Sequence, residues 1–440
     1  MDIKKEKKIK KIIIVIFLIS ISILLLVWGP SLIGGILAML MLVVTGWVIT
    51  DMELMHPLTW FSPIFFMYST SMPILVLFQE EAYIEGLAYT LIVEWIALLT
   101  FILILGSFKK YKTEYKISAL NNINLIVMPI YFISVVLSTL FLFYILFSGL
   151  STKYAISSDQ SIFSNLIPFF SIFVLSFLLL FTHKIVKDKK IPIILFLFTF
   201  IFSLMILMIA GERDILLRAI LGATLIIHFL HKKFKRKYLL IMGAIGVSSI
   251  PFLSNFKNFA FGLRERESEK SFIGEIFGGE FRSASRNLNT LITNSESWTF
   301  FKGETLIWDI KKATFGDAIS PGAWFNQNFY PNLVARGGGN GFTLVGEGYM
   351  NFGIVGVILL FAFIAMLLKF LYVKSHMSLV WAVVYIAFVP IMVYAIRGDL
   401  ATLLTHLNKH ILLPLAIIYL IKFILEKNFF RKRKYPKFQE

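Results

Sequence analysis

The sequence predicts an all-α polytopic membrane protein with about 12 transmembrane helices and one large extracytoplasmic loop. Three observations predict this fold class. Of the 440 residues, 58% are hydrophobic and only 16% are charged, whereas a soluble domain carries about 25% charged residues. Apolar runs of about 20 residues, the length that crosses a bilayer as a helix, recur along most of the chain. Short clusters of Lys and Arg separate many of these runs.

The candidate spans begin directly after the basic stretch MDIKKEKKIKK, a start that is typical of signal peptides. No small-residue cleavage site follows Trp28, and a second apolar run begins at once, so we expect an uncleaved first span. The predicted spans are residues 12–28, 31–50, 57–78, 86–108, 123–148, 166–182, 191–210, 215–230, 238–253, 343–368, 378–396 and 401–421.

The basic clusters predict the orientation of these spans. If the amino terminus is cytoplasmic, 28 of the 43 Lys and Arg residues fall in segments on the inner side. This bias predicts a multi-pass protein of the cytoplasmic (inner) membrane with both termini cytoplasmic. It also accounts for the net charge of +17 without a nucleic acid partner. The chain has no cysteine, which excludes disulfides and thiolate chemistry.

One long segment, residues 254–342, separates the ninth and tenth spans on the predicted outer face. It is rich in Phe and Trp, which argues against disorder and favours a partly folded cap of short helices on the membrane. The predicted organisation is therefore a bundle of about nine helices in residues 1–253, this extracytoplasmic loop, and about three helices with a basic cytoplasmic tail in residues 343–440.

Charged residues collect in three places near the predicted outer face. Asp214 and Arg218 share one face of a helix and form either an internal salt bridge or part of a substrate site. The long loop carries arginines that are either solvated ion-pair partners or substrate contacts, and Arg397-Gly-Asp399 begins the last span. His406 and His410 follow on that span, but a histidine pair without a third ligand does not predict a metal site. The loop arginines are Arg264, Arg266, Arg282, Arg286 and Arg336.

The stretch RGGGNGFTLVGEGYMNFGIVG, from Arg336 to Gly356, joins a glycine run to an apolar helix. The run is either a flexible turn or an anion site, because backbone N–H groups and the helix dipole attract negative charge. Glu347 either caps the helix or takes part in chemistry, and the later glycines permit close helix packing. With the arginines, this stretch predicts an outer pocket for an anion attached to a lipid.

Such a pocket suits transfer from a donor that was activated in advance, since nucleoside triphosphates are not normally available outside the membrane. A polyprenyl pyrophosphate sugar meets that need. Arginines can stabilise its anionic leaving group, so we expect neither a metal ion nor a cofactor. A carboxylate or histidine can take the proton of the acceptor hydroxyl.

The glycine-rich stretch resembles the shared block of the Wzy-type polysaccharide polymerases, the oligosaccharide repeat unit polymerases. The RGDL sequence at 397–400 and the segment from Arg213 to Arg218 are similar to this family as well. The resemblance implies a GT-C-like fold and transfer of a growing glycan from undecaprenyl pyrophosphate onto the next lipid-linked repeat unit. Pyrophosphate binding would then fall to Arg213, Arg218, Arg336 and Arg397.

The hypothesis drawn from this resemblance gives catalytic roles to Arg336 and to Glu347 or Asp399, one of which would act on the acceptor hydroxyl. Aromatic residues of the long loop, Trp324 among them, would stack on sugars. A chain-length regulator and a flippase are further candidate partners, and the product is an O-antigen, a capsule or an exopolysaccharide. Two other functions stay open: an O-antigen ligase-type glycan transferase, and a flippase for lipid-linked oligosaccharides.

Overall fold

The computed structural model describes residues 3–28, 31–106, 118–149, 166–238, 271–316 and 318–434, together with 240, 241, 243, 244, 246 and 248. All regular structure in these residues is helical, which confirms the predicted all-α class. The helices are Ile3–Val27, Leu32–Thr50, Pro57–Leu77, Leu87–Leu105, Ser118–Ser148, Pro168–Asp188, Ile193–Ala210, Arg213–Ile226, Phe272–Phe277, Gly279–Thr293, Glu304–Phe315, Pro321–Phe329, Pro331–Ala335, Leu344–Ser375, Leu379–Ala395, Leu400–Leu407 and Leu413–Lys434.

Ten of the helical segments in the described residues are long and apolar enough to cross a membrane. The chain is therefore a multi-pass membrane protein, as predicted. The helix Leu379–Ala395 is also apolar but shorter. Residues 238–253, the ninth predicted span, lie largely outside the described residues, so the total of twelve stays a prediction, as does the GT-C-like topology. The ten segments are Lys8–Val27, Leu32–Thr50, Pro57–Leu77, Leu87–Leu105, Leu125–Ser148, Pro168–Asp188, Ile193–Ala210, Asp214–His231, Leu344–Ser375 and Leu400–Ile424.

The chain groups into two compact units, each assembled from three separate stretches. The first unit comprises Met1–Lys110, Phe234–Tyr372 and Met392–Leu404. The second comprises Tyr111–Lys233, Val373–Ile391 and Thr405–Glu440. The predicted division of the chain into two sets of spans separated by an outer loop, with boundaries at residues 253 and 342, concerns membrane topology and remains a prediction.

The first unit is organised around the helix Leu32–Thr50, which packs against the spans Pro57–Leu77 and Leu87–Leu105. Close packing is possible because small residues face the neighbouring helices: a Cβ at Gly35 would lie 2.6 Å from the side chain of Leu91. Buried aromatic rings such as Phe61, Phe65 and Phe101 fill much of the remaining space between these spans.

The helix Gly279–Thr293, which belongs to the predicted outer loop, packs against the span Pro57–Leu77. The Ser285 hydroxyl donates to the Ser69 carbonyl at 3.0 Å, eight residues before that span ends. Asn289 accepts from the Thr90 hydroxyl at 2.9 Å. These polar residues are almost fully buried, and each finds a partner on a span, as a polar group in an apolar environment requires. This part of the loop therefore lies among the spans.

The second unit is built around the helix Pro168–Asp188, in which 83% of the residues of the apolar stretch are buried. It packs against Ser118–Ser148 and Arg213–Ile226. Two π-helical turns, Ile227–His231 and Asn408–Leu412, interrupt spans of this unit. The second turn carries His410, whose Nδ1 lies 2.5 Å from the Ser171 hydroxyl.

The helix Leu344–Ser375 is sharply kinked at Phe352 and Gly353, where the backbone angles are not helical. Gly353 has a φ of +60°, a conformation that glycine adopts without the strain of a Cβ. A Cβ at Gly356 would lie only 2.0 Å from the Gly348 carbonyl oxygen, so the backbones on the two sides of the kink touch. We call residues 344–351 the short arm. The remaining residues, 354–375, are about 33 Å long and cross a bilayer by themselves.

Candidate active site

A pocket of about 330 Å³ in the first unit lies where the glycine run meets the start of the helix Leu400–Leu407. Arg397 and Asp399 line it together with the amino-terminal turn of the helix Pro321–Phe329. The structure thus places two of the sequence-predicted clusters, the glycine run and the Arg397-Gly-Asp399 turn, on the wall of one cavity. A basic and an acidic side chain at one pocket are the minimum set for binding an anion and accepting a proton.

Asp399 organises this pocket through both carboxylate oxygens. Its Oδ1 accepts from the backbone N–H of Thr402 at 2.8 Å and from the Thr402 hydroxyl at 2.6 Å, which caps the helix Leu400–Leu407. Its Oδ2 accepts from the N–H of Gly322 at 2.9 Å, at the start of the helix Pro321–Phe329. A Cβ at Gly322 would lie 2.9 Å from the same oxygen, so this approach needs glycine. Three donors thus hold the carboxylate in one orientation at the pocket wall.

The glycine run is held in place by asparagine side chains. The Asn326 amide forms reciprocal bonds with Asn340: its Oδ1 accepts from the Asn340 N–H at 2.7 Å, and its Nδ2 donates to the Asn340 carbonyl at 2.9 Å. Asn287 donates to the Gly341 carbonyl and accepts from the Tyr330 hydroxyl. This run is therefore a shaped wall, and the sequence alone gave no indication that asparagines would hold it.

The amides of the run contribute less to an anion site than the sequence suggested. The N–H of Gly337 donates to the Val334 carbonyl, and that of Gly338 donates to the Leu333 carbonyl. With the Asn340 N–H also engaged, at most the amides of Gly339 and Gly341 face a ligand. The positive charge for an anion must then come mainly from a side chain.

Arg397 supplies that charge at the pocket. Its guanidinium carbon lies 4.4 Å above the ring of Tyr394, another pocket residue, and this cation–π contact limits where the guanidinium can go. Arg336 is exposed and lines a second, neighbouring depression of about 330 Å³ with Tyr330. It is two residues from Gly338, which lines the first pocket, so the two arginines belong to the same region of the first unit.

A pair of carboxyl groups lies buried behind the pocket. Glu347, on the short arm, and Asp309, on the helix Glu304–Phe315, are both 0% exposed. Their side chains face each other at hydrogen-bonding range. Glu347 also accepts from the backbone N–H of Leu400 at 2.5 Å, next to Asp399. In the described part of the chain, neither oxygen of Asp309 accepts a hydrogen bond of normal geometry from another donor group. Two facing acceptors of this kind require a proton between them.

The pKa of Asp309 reflects this environment. Burial is the largest influence and raises the pKa of Asp309 from 3.8 to about 7, and the nearby charge of Asp399 adds to the rise. The hydrogen bond with Glu347 and the Ala401 amide act in the opposite direction. Asp309 could not be selected from the sequence, because its partner Glu347 is 38 positions away. The one available signal is that Thr305 and Asp309 are four apart in an otherwise apolar helix.

Asn351 ties the loop to the end of the short arm. Its Oδ1 accepts from the Gly303 N–H at 2.9 Å, and its Nδ2 donates to the Thr305 hydroxyl at 2.7 Å. The backbone N–H groups of Phe301 and Lys302 donate to carbonyls of the short arm. The helix Glu304–Phe315 is therefore fixed to the kink, and Asp309 is placed opposite Glu347 as a result.

The other predicted site residues have different surroundings. In the second unit, Arg218 is buried and its Nη2 lies 2.7 Å from Asp214 Oδ2, which is the internal salt bridge, one of the two alternatives for this pair. Arg213 begins the helix Arg213–Ile226, but its side chain lies outside the described part of the structure. Arg264 and Arg266 also lie outside the described residues. In the described residues, no group of three His, Asp or Glu side chains is arranged to hold a metal ion.

Three more candidates belong to the first unit. Arg282 forms an ion pair with Glu81, and Arg286 is half-buried on the same helix. Trp324 packs into an aromatic cluster, with ring centroids 5.0 Å from Phe301 and 6.4 Å from Trp298. Its ring is half-buried by these neighbours, which leaves less of it to stack on a sugar.

Comparison with known proteins gives one clear match. The family model described as O-antigen polysaccharide polymerase Wzy matches residues 8–428, almost the whole chain. No curated protein and no solved structure matches the sequence. The match spans both compact units and includes every residue of the pocket described above.

Proposed function

Because the chain belongs to the O-antigen polysaccharide polymerase Wzy family, we propose that it transfers a growing glycan from undecaprenyl pyrophosphate onto the next lipid-linked repeat unit at the outer face of the cytoplasmic membrane. Membership in the family makes it a membrane-bound glycosyltransferase-type polymerase that acts on lipid-linked oligosaccharide repeat units. The identity of the donor carrier and the side of the membrane are our proposal. The observation that supports the proposal most strongly is the pocket that holds Arg397 and Asp399 together.

In the proposed reaction, an acceptor hydroxyl on the lipid-linked repeat unit attacks the anomeric carbon of the growing glycan. The bond from that carbon to the pyrophosphate oxygen breaks, and undecaprenyl pyrophosphate leaves with the electron pair. The hydroxyl proton passes to the Asp399 carboxylate and then to water. We assign this role to Asp399 because it lines the pocket, which Glu347 does not.

Arg397 is assigned to the departing pyrophosphate. A guanidinium fork binds two phosphate oxygens at once, and negative charge grows there as the bond breaks. Arg336, which is exposed beside the pocket, is assigned to the pyrophosphate of the lipid-linked acceptor. Arg213 and Arg218 keep the pyrophosphate-binding role that the resemblance implies, although Arg218 already carries Asp214 as an ion-pair partner.

The decisive measurement uses purified protein in nanodiscs and synthetic polyprenyl-pyrophosphate repeat units. Products that form a ladder of increasing length support a polymerase. A single transfer to a different acceptor would instead indicate a ligase. Movement of intact substrate across the bilayer with no new glycosidic bond would indicate a flippase.

We expect the Arg397→Ala substitution to lower ladder formation by about 100-fold or more, because charge develops on the leaving group in the transition state. Arg397→Lys should recover only part of the rate, since an ammonium group lacks the bidentate fork. Arg236→Ala is the matched control, because Arg236 is an exposed arginine in a basic cluster that does not line the pocket. Unchanged turnover in Arg397→Ala would refute the assignment.

A further inference from the structure

The helix Glu304–Phe315, which we call the loop helix, has its apolar side outward and its polar side inward. Thr305 and Asp309 are fully buried. Leu306, Ile307 and Ile310 are 40%, 56% and 59% exposed, respectively. A helix on the surface of a water-soluble protein has the reverse arrangement. The outward face of the loop helix is therefore built for an apolar environment.

The inward polar contacts fix this orientation. Thr305 accepts from Asn351, and Asp309 faces Glu347, so a rotation about the helix axis would break both contacts. Such a rotation would also take the buried Thr305 hydroxyl and Asp309 carboxyl away from these contacts, which is unfavourable for polar groups shielded from water. The exposure of Ile307 and Ile310 is thus imposed by the packing of the first unit.

The outward face continues the lipid-facing surface of the next span. Phe352, at the kink, is 45% exposed, and Val355 and Leu359 are 60% and 58% exposed on residues 354–375, which are long and apolar enough to cross the membrane. The loop helix begins beside this surface, because a Cβ at Gly303 would lie 3.6 Å from the Phe352 ring. The exposed residues of a membrane-crossing helix contact acyl chains. The same environment is therefore adjacent to the loop helix.

Charged groups flank the apolar face as they do in helices at a membrane interface. Lys311 and Glu304 are exposed along one edge of this face, where long side chains reach polar headgroups. Gly303 and Gly316, with φ values of +95° and +81°, begin and end the helix and redirect the chain there. The helix is thus a separate in-plane element with a sharp turn at each end.

We propose that the loop helix is embedded in the membrane, with Leu306, Ile307 and Ile310 in contact with lipid acyl chains. The occupant of its apolar face is the bilayer itself. The buried carboxyl pair then lies on the inner side of a membrane-embedded helix, which places it near the level of the lipid headgroups. This inference does not depend on the reaction proposed above.

The test exploits the absence of cysteine, because one introduced cysteine is the only site that a thiol-reactive spin label can modify. Ile307→Cys and Ile310→Cys are labelled separately in the full chain in nanodiscs. Asn328→Cys, exposed on the helix Pro321–Phe329, is the aqueous control. Phe363→Cys, 48% exposed on the span, is the lipid control. Collision rates are measured with oxygen, which concentrates in acyl chains, and with a nickel chelate, which stays in water.

We expect the ratio of oxygen to nickel collisions at positions 307 and 310 to match position 363 and to exceed position 328 severalfold. A ratio equal to that at position 328 would overturn the proposal. A second copy of the chain on this face would bring two labels at position 307 close together and broaden their spectra by dipolar coupling. This broadening would disappear when labelled protein is diluted with unlabelled protein. Such a result would also overturn the proposal. Because two positions are labelled independently, failure of one variant to fold leaves the other to decide.

Discussion

At the scale of single residues, Asp399 joins two segments that are far apart in the sequence. Its carboxylate caps the helix Leu400–Leu407 and anchors the amide of Gly322, which is 77 positions away. The same side chain lines the pocket beside Arg397. A carboxylate accepts about four hydrogen bonds, and three are already made, so Asp399 can accept one further donor, which we propose is the acceptor hydroxyl.

We expect Asp399→Asn to lower the rate of glycan transfer by about 100-fold or more, because an amide does not take up the hydroxyl proton. The amide NH2 of asparagine would also face one of the N–H groups from which Asp399 accepts a hydrogen bond. The melting temperature of the Asp399→Asn protein must therefore be measured in parallel. Asp188→Asn, at an exposed carboxylate of the second unit, controls for the loss of one negative charge. Full activity in a folded Asp399→Asn protein would rule out the role of Asp399 as base.

At the scale of helices, the short arm and the loop helix form one assembly. The kink brings Gly348 and Gly356 into backbone contact, and Asn351 fastens the loop at Gly303 and Thr305. Glu347 then faces Asp309 across this junction. The position of the pocket wall therefore depends on glycine at the kink and on a proton held by the carboxyl pair.

The pH dependence of stability tests the carboxyl pair. Because burial raises the pKa of Asp309 to about 7, the folded protein holds a proton there between about pH 4 and pH 7 that the unfolded chain has already lost. This contribution is complete below about pH 4 and is lost as the pH rises through about 7. We expect the melting temperature to fall between about pH 4 and about pH 7 and to level off above that range, and to fall less in Asp309→Asn, which has no charge to bury.

The matched control for this experiment is Glu304→Gln, at an exposed carboxyl group on the same helix. Its melting temperature should follow the pH with the same slope as the unmodified protein. Equal slopes in Asp309→Asn and in the unmodified protein would show that Asp309 holds no proton of structural importance.

The kink makes a separate prediction. Gly356→Ala places a methyl carbon within 2.0 Å of the Gly348 carbonyl oxygen, where backbone must move to make room. We expect the substitution to destabilise the first unit by about 1–3 kcal/mol and to reduce glycan transfer. Gly243→Ala is the control, because within the described residues a Cβ built there meets no other part of the chain within 4 Å. Unfolding curves of the two variants provide the comparison, and coincident curves would contradict the packing described.

The sequence predicted the all-helical, multi-pass class correctly because its signals are local. Apolar run length identifies spans without any knowledge of their neighbours, and the glycine run and the Arg397-Gly-Asp399 turn were selected for the pocket that both line. Asp309 was missed because its significance comes from Glu347, a distant residue. The kink was missed because glycine in an apolar helix usually signals close packing between helices, and here the packing is within one helix.

At the scale of the whole molecule, orientation decides whether the pocket meets lipid-linked substrate outside the cell. The basic clusters between the spans predict that Lys190 is cytoplasmic and that the long loop is external. A cysteine at Glu296, exposed in that loop, should react with an impermeant maleimide added to intact spheroplasts. A cysteine at Lys190, also exposed, should react only after the membrane is opened. The reverse pattern would place the pocket in the cytoplasm and exclude the proposed reaction.

The kink has a consequence for how the chain can change length. Residues 354–375 connect the short arm to the opposite membrane surface as one continuous helix. One residue inserted there would raise the arm by about 1.5 Å and turn it by about 100°. Glu347 would then point away from Asp309, even though the inserted residue could be any apolar one. Natural variants are therefore expected to tolerate many substitutions in this stretch but to preserve its number of residues.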